Sequence, residues 1–282
     1  MSLIIEDLKK EASQIQIISP IGGKGSRALP IEIISALRNQ LGKEIEKELY
    51  VPKHILKVKN KPLLEWFIEY FKMNGFKKFV FLLSEKNSEI KEFLEKAKNK
   101  YSDLEIKMSF DPKVENVGKG KAILHAIKNG VIDKTKKSIL AFPDDFIFYK
   151  FAPLELLLRH LHYRTKDKKI IATILLVPYI KLPYGVAEVE EIKVKKFKEK
   201  PNIPLYASTG MAIFEPEIFA YIEEIIDINS PFPVEIEEAI YPILAEEGRM
   251  AFTLLPSGED WIAVNSLKDL AKLEEKLSKG GF

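Results

Sequence analysis

The chain has 282 residues, 46% of them hydrophobic, with no cysteine and 44 Lys and Arg against 41 Asp and Glu. That apolar content supports a packed core and excludes a disordered chain. The even charge balance excludes a generic DNA binder, and the missing thiols exclude disulfides, thiolate metal sites and a cysteine nucleophile. No apolar run has the length of a bilayer crossing, and the first ten residues are too charged for a secretory leader. A cytoplasmic protein that meets neither membrane nor nucleic acid is the expectation, and any anion site must be local.

A buried strand is predicted over 15–19, running into the glycine-rich cationic turn Gly22, Gly23, Lys24, Gly25, Ser26, Arg27, Ala28, Leu29, Pro30. Between Pro30 and Pro52 the apolar residues Ile31, Ile34, Leu37, Leu41, Ile45 and Leu49 recur every three or four positions, the period of an amphipathic helix. It either packs on the core or serves as a movable flap or subunit contact. A helix follows over 63–74 with Gly75 as its stop, then a strand over 79–84, a helix over 88–98 and a strand over 106–110. A helix over 119–129, closed by Gly130, and a strand over 138–142 complete the first half. This alternation predicts a parallel sheet covered by helices on both faces.

The second half reads as strands over 170–177, 186–189, 194–198 and 206–214. Helices over 216–226 and 234–247, a strand over 250–255 and a helix over 267–277 finish the chain. One continuous mixed sheet is expected, with the second half forming a lobe over one end. Ligand is expected at the carboxyl ends of the strands.

Glycines let backbone N–H groups approach an anion closely, and Lys24 and Arg27 add full charges to the same turn. The turn therefore reads as a polyphosphate cradle. A P-loop is excluded because Gly23-Lys24-Gly25-Ser26 breaks the required Gly-Lys-Ser/Thr order. Gly23, Gly25 and Ala28 match the dinucleotide fingerprint literally, which would make the protein an NAD(P)-dependent oxidoreductase. Against that, Pro30 delays the helix and no ribose-binding acid follows.

A third reading uses more of the chain. The run from Gly22 to Pro30 resembles the G-G-x-G-T-R-x-x-P signature of sugar-phosphate nucleotidyltransferases (NDP-sugar pyrophosphorylases), with Ser26 for the usual Thr. Pro52-Lys53 and Lys61-Pro62 resemble that family's next signatures. Gly118-Lys119-Gly120-Lys121-Ala122 and Pro143-Asp144-Asp145 are similar to the bacterial UTP–glucose-1-phosphate uridylyltransferases within it. Tyr184-Gly185-Val186, Glu199-Lys200-Pro201 and Glu215 to Phe219 match further segments in the family order.

The resemblance implies an α/β, Rossmann-like nucleotidyltransferase fold with a mixed, mostly parallel sheet flanked by helices. One domain would span 1–282, with a nucleotide-binding half over about 13–150, a sugar-binding half over about 151–265 and a C-terminal helix over 266–282. No room would remain for the β-helical acyltransferase extension of some members, and a homo-oligomer is possible. The reaction implied joins a nucleoside triphosphate, UTP favoured, to a sugar 1-phosphate, glucose 1-phosphate favoured, with Mg²⁺ as cofactor.

By the same resemblance, Arg27 would meet the leaving phosphates through its planar fork and Lys53 the α-phosphate, while Lys24 stays in solvent. Ile21, Gly22, Gly23, Gly25, Ser26, Gly118 and Gly120 would bind nucleotide; the last two could equally form the first turn of a helix. Asp144 also follows from position alone: a carboxylate past a parallel strand sits in the ligand crevice, and by resemblance it would hold Mg²⁺. Asp145, next in sequence, should point elsewhere as a cap. Gly185, Glu199 and Lys200 would take the sugar phosphate. Ser208-Thr209-Gly210 stands where many relatives have Asn-Ala-Gly. The histidines His54, His125, His160 and His162 show no metal spacing and read as structural or solvent-facing.

One departure carries weight. Ala263 occupies the position of the family's second metal aspartate, and alanine ligates nothing. Asn265, two residues on, could offer a neutral oxygen from the same side of a strand, or Asp260 could swing in. Otherwise the protein would be a catalytically impaired paralogue that binds nucleotide or nucleotide sugar without turnover.

Overall fold

Apolar strands flanked by amphipathic helices build the centre of the molecule. The computed structural model describes residues 2–22 and 52–280; Gly23, Lys24, Gly25, Ser26, Arg27 and the predicted 31–51 helix lie outside the described residues. In chain order the strands are β1 (Gln16–Pro20), β2 (Lys57–Val58), β3 (Lys61–Pro62), β4 (Lys78–Leu83), β5 (Glu105–Phe110), β6 (Ser138–Leu140), β7 (Asp145–Ile147) and β8 (Ala172–Val177). They continue with β9 (Ile180–Lys181), β10 (Val186–Glu190), β11 (Lys193–Lys198), β12 (Asn202–Ile203), β13 (Ala207–Phe214), β14 (Met250–Leu254) and β15 (Trp261–Ala263).

Seven strands form one sheet in the order β14-β8-β13-β6-β1-β4-β5. β1 is parallel to β4 and β6, β5 to β4, and β14 to β8. β13 runs antiparallel to both β6 and β8. The sheet is thus mixed, mostly parallel, and continuous across both halves of the chain.

Both faces of the central strands are apolar, as strands covered on both sides must be. Ile17, Phe79, Phe81 and Ile139 face one layer, where Phe67, Phe71, Leu94 and Leu157 pack. These come from the helices Leu63–Met73, Ser88–Lys100 and Ala152–Lys166. Ile18, Val80, Leu82 and Leu140 face the opposite layer, against Ile123, Ile127, Ile222 and Leu244. Those residues belong to the helices Gly118–Lys128, Ile218–Ile225 and Tyr241–Glu246. A third, smaller cluster of Val58, Leu63, Phe146, Ile262, Val264 and Leu273 lies beside the sheet and joins β7, β15 and the last helix, Leu267–Ser278.

Four differences from the sequence reading stand out. The helix expected over 234–247 is two pieces, Ile236–Ala239 and Tyr241–Glu246, because Pro242 has no N–H to continue the ladder and its ring crowds the preceding turn. Residues 2–12 form a helix, Ser2–Ala12, whose Ala12 joins the core; its charged residues mask a narrow apolar stripe. The pattern around His160 extends to a full helix, Ala152–Lys166. Finally, β7 pairs with β15, strands of three residues that carry no periodicity of their own. The hairpin β10–β11 is exposed along both strands. Among the described residues no helix is long and apolar enough to cross a membrane.

Two glycines with the same backbone conformation make a direct test of close packing. Gly118 and Gly130 both have φ +67°, but a Cβ on Gly118 would stand 2.5 Å from the backbone of Val234 while Gly130 faces open space. Gly130→Ala is expected to cost about 1 kcal/mol, the left-handed penalty alone. Gly118→Ala should cost about 3 kcal/mol, because the backbones must also separate. Urea unfolding of the two variants measures this, and equal losses would contradict it.

Candidate functional site

β6 ends at Leu140, and the turn that follows carries Asp144 past the carboxyl end of a strand parallel to β1. Lys53 arrives from the one-turn helix Lys53–Ile55 that follows Pro52. Its Nζ donates to Asp144 Oδ2 at 2.6 Å and to Asn265 Oδ1 at 3.2 Å. The Lys53 and Asp144 side chains are 14% and 25% exposed, so solvent screens the pair only partly. Asn265 is delivered by β15. That strand pairs with β7 so that Ala263 lies opposite Asp145, and the Val264 N–H donates to the Asp144 carbonyl at 2.8 Å. The third apolar cluster backs this pairing, and a shallow cleft lined by Lys53, Leu56, Val264, Asn265 and Leu270 opens beside it.

Asp145 makes no hydrogen bond or ion pair with Lys53. Its Oδ1 accepts from Trp261 Nε1 at 2.9 Å, and its Oδ2 would lie 2.9 Å from a Cβ on Gly210. Burial, helped by the negative Asp144, pushes it up to about 7 against the opposing pull of Trp261 and Lys53. It is a partner for Trp261 rather than a turn cap. Gly210 has φ +81° and yields space to this carboxylate, which accounts for the glycine of Ser208-Thr209-Gly210.

His54 is buried beside the same group. Burial lowers it to about 4, Asp144 opposing and Lys53 adding to the fall, so it is neutral at physiological pH. Its Nδ1 has no hydrogen-bond partner among the described residues. His160 is buried too, with Nδ1 2.8 Å from Thr173 Oγ1 and Nε2 3.2 Å from Glu215 Oε1. Both are buried rather than solvent-facing. Among the described residues no three His, Asp or Glu side chains gather into a metal cage.

The start of the glycine-rich turn lies one strand away. Ile21 is fully buried, and its N–H continues the ladder to Leu82 O at 2.8 Å. At Gly22 a Cβ would meet Asp111 Oδ2 at 2.8 Å and Ser84 N at 3.1 Å. Asp111 is itself held by its N–H to Leu83 O at 2.7 Å. Burial pushes its carboxyl up to about 6. Sequence reading passed over it, although the signal was that of Asp144: an acid immediately beyond a parallel strand.

Gly118 and Gly120 both lie against Val234. Cβ atoms there would come within 2.5 and 2.9 Å of its backbone, and the Gly120 N–H donates to Val234 O at 2.7 Å. Lys121, fully buried, donates to Asn116 O at 3.0 Å and Ser230 O at 2.6 Å and fastens the same two segments. Close packing at the first turn of a helix thus accounts for both glycines.

Gly185, Glu199 and Lys200 meet at the root of the β10–β11 hairpin. A Cβ on Gly185 would collide with the ring of Phe197 and reach 2.8 Å from Glu199 Oε2. Lys200 has φ +46° and lies 3.8 Å from Glu199, with both side chains about 60% exposed. No hydrogen bond or ion pair among the described residues joins these three to the Lys53–Asp144–Asn265 group.

Comparison with known proteins gives this geometry a context. The Nucleotidyl transferase family model matches residues 49–280. Mannose-1-phosphate guanyltransferase beta-B of Xenopus laevis is 25% identical over 254 residues, 88% of this chain and 61% of that protein. UTP–glucose-1-phosphate uridylyltransferase of Synechocystis is 26% identical over 229 residues, 78% of this chain and 56% of that protein. The chain therefore spans about three fifths of these two relatives. It matches 94% of the probable glucose-1-phosphate cytidylyltransferase of Bacillus subtilis at 24% identity, over 92% of its own length. Among solved structures, UDP-glucose pyrophosphorylase complexed with UDP-glucose has a TM-score of 0.61 at 17% identity, covering 94% of this chain and 99% of that one. The shared fold is the Rossmann-like α/β architecture of nucleotidyltransferases.

The environment of Asp111 predicts a stability slope. Its ordinary value is 3.8 and its folded value about 6, so the folded state keeps its proton to higher pH than the unfolded chain does. The stability this contributes is complete below about pH 4 and is lost as pH rises through about 6. Asp111→Asn should flatten that part of the profile, so that its Tm falls less than the wild-type Tm between pH 4 and 7. Parallel Tm profiles for the two proteins would contradict it.

Proposed function

The chain belongs to the nucleotidyl transferase family, and on that premise we propose that it joins a nucleoside triphosphate to a sugar 1-phosphate, releasing pyrophosphate and a nucleoside-diphosphate sugar. The observation that carries the reading is the convergence of Lys53, Asp144 and Asn265, residues far apart in sequence, at the carboxyl end of a parallel sheet. Family membership also displaces the dinucleotide-dependent oxidoreductase reading of Gly23, Gly25 and Ala28.

A sugar-phosphate oxygen attacks the α-phosphorus; the new P–O bond forms as the bond to the bridging oxygen breaks, and pyrophosphate leaves with that electron pair. No protein nucleophile takes part. The work of the chain is to hold two anions together and to neutralise the charge that develops. Lys53 supplies one positive charge at the phosphates, and Asp144 and Asn265 orient it beforehand. The two oxygens already converge on a cation, the Lys53 ammonium, and a carboxylate with an amide carbonyl is the hard-oxygen pair that Mg²⁺ accepts. Mg²⁺ held by Asp144 and Asn265 would supply further charge neutralisation at the phosphates. Asp145, committed to Trp261, stays out of the reaction and fixes the turn.

By resemblance, Arg27 with Gly23, Gly25 and Ser26 would grip the leaving phosphates, and Ile21 and Gly22 would line the same turn. By the same resemblance, Gly185, Glu199 and Lys200 would take the sugar phosphate. Gly118 and Gly120 would keep a helix start close to the nucleotide. UTP with glucose 1-phosphate is the pair that the resemblance favours, and the names of the relatives span guanyl-, uridylyl- and cytidylyltransferases. One observation favours a second reading: Ala263, opposite Asp145, offers no oxygen at the position where the resemblance places a second metal aspartate. On that reading the protein binds nucleotide without turnover.

The test is Mg²⁺-dependent release of pyrophosphate from a panel of nucleoside triphosphates and hexose 1-phosphates. Absence of turnover on every pair, with nucleotide binding intact, selects the non-catalytic reading. Asp144→Asn and Lys53→Met are each expected to lower kcat by about 10³-fold, the scale of losing an electrostatic contact to the transition state. Asn265→Ala should raise the Mg²⁺ concentration for half-maximal rate, and Asn265→Asp should lower it. A rate that ignores position 265 would remove that residue from the metal site.

A further inference from the structure

Asn265 is the least enclosed member of the group that it forms with Lys53 and Asp144. Its side chain is exposed. The residue before it, Val264, is 2% exposed, packs in the third apolar cluster and is tied by its N–H to the Asp144 carbonyl. The residue after it, Ser266, is the N-cap of the last helix. Position 265 is therefore the joint between a strand end and a helix start. An exposed side chain has no packing to select its rotamer, and ordering it costs conformational entropy. Yet its Oδ1 stands 3.2 Å from Lys53 Nζ. Whatever limits its freedom must act on the backbone of this one residue.

Asp269 does so. Its carboxylate, half-buried in the first turn of the helix, accepts through Oδ2 from the Asn265 N–H at 3.1 Å and from Ser266 Oγ at 2.8 Å. The Asp269 N–H donates back to Ser266 Oγ at 3.3 Å. A capping box ordinarily returns the side chain of the third helical position to the N–H of the N-cap itself. Here it reaches one residue further out, to the N–H of the residue that carries the amide. Capping alone is served by Ser266. The additional bond is charge-assisted, the stronger kind, and it fixes the direction in which the Asn265 side chain leaves the backbone.

We propose, resting on the nucleotidyl-transfer reading above, that Asp269 is a positioning residue: it sets Asn265 so that the amide oxygen faces Lys53 and the metal position beside Asp144. Asp269 touches no reacting atom and acts through Asn265 alone.

Proton–nitrogen correlation spectra of the full chain test this without substrate or metal. The Asn265 side-chain signals are identified by their loss in Asn265→Ala. In wild type they should be displaced from the position of freely rotating asparagine amides. In Asp269→Ala they should move to that position, while Asp269→Asn, whose amide oxygen still accepts, should keep most of the displacement. If the alanine variant does not fold, Asp269→Ser, one bond too short to reach Asn265, gives the same readout. Ser266→Ala removes the cap but leaves the Asp269–Asn265 bond; it should lower Tm while the Asn265 signals stay in place.

In pyrophosphate release, Asp269→Ala should raise the Mg²⁺ concentration for half-maximal rate about tenfold, the low end of what losing an outer partner costs. Added to Asn265→Ala it should raise it no further, since residues that act through one another are not additive. Asn265 signals unmoved in Asp269→Ala, or moved equally in Ser266→Ala, overturn the proposal. So does an additive effect in the double variant, which would leave Asp269 a helix cap only. A rate that responds to Asn265→Ala but ignores Asp269→Ala sinks Asp269 alone. Absence of turnover in wild type on every substrate pair sinks the nucleotidyl-transfer reading, and the spectra still decide whether Asp269 sets Asn265.

Discussion

The site depends on one short piece of antiparallel pairing. β7 and β15 are three residues each, yet they join chain segments more than a hundred residues apart and deliver Asp144 and Asn265 to the same Lys53 ammonium. So short a pair is not stable by itself. Its support is the small apolar cluster in which Phe146 and Ile262 from the two strands pack with Val58, Leu63, Val264 and Leu273. The last helix, capped by Ser266 through the Asp269 N–H, closes that cluster. Packing of six apolar side chains therefore sets the geometry of three polar ones.

Burial then assigns roles to neighbours that look alike. Asp144 and Asp145 are consecutive, but the first lies in the turn before β7 and the second opens the strand, and their carboxylates take different partners. One meets a lysine at a partly open crevice; the other is driven under Trp261 and Gly210, where desolvation favours its neutral form. Lys53 and His54 divide in the same way: the lysine pairs with Asp144 at the crevice, and the buried imidazole stays uncharged beside it. The net result is a single cation between two oxygens, with burial opposing charge on His54 and Asp145 beside it. A phosphate approaching this point meets little competing negative charge beyond Asp144 itself.

The glycines illustrate how one residue type serves different demands. Gly22 makes room for a carboxylate, Gly118 and Gly120 for the backbone of Val234, Gly210 for Asp145 and the Phe142 ring, and Gly185 for Phe197. In each case the third dimension supplies the neighbour. A motif-based reading sees the glycine and infers a ligand; the structure at Gly118 and Gly120 supplies a protein neighbour that already explains the missing side chain.

Much was legible in the sequence. The order of strands and helices and the continuity of the sheet follow from apolar period and stop signals, whereas the preference for Asp144 over Asp145 rests on the family resemblance. Period and stop signals are local properties, written within a dozen residues. What local pattern could not carry was the meeting of distant segments. The partner of Ala263, the approach of Asn265 to Lys53, the tight seat of Gly118 and the open carboxylate of Asp111 all depend on register and on packing between layers. Those are settled only when the apolar faces close on one another, because a side chain's charge state and reach are set by what surrounds it, and its surroundings come from the whole chain.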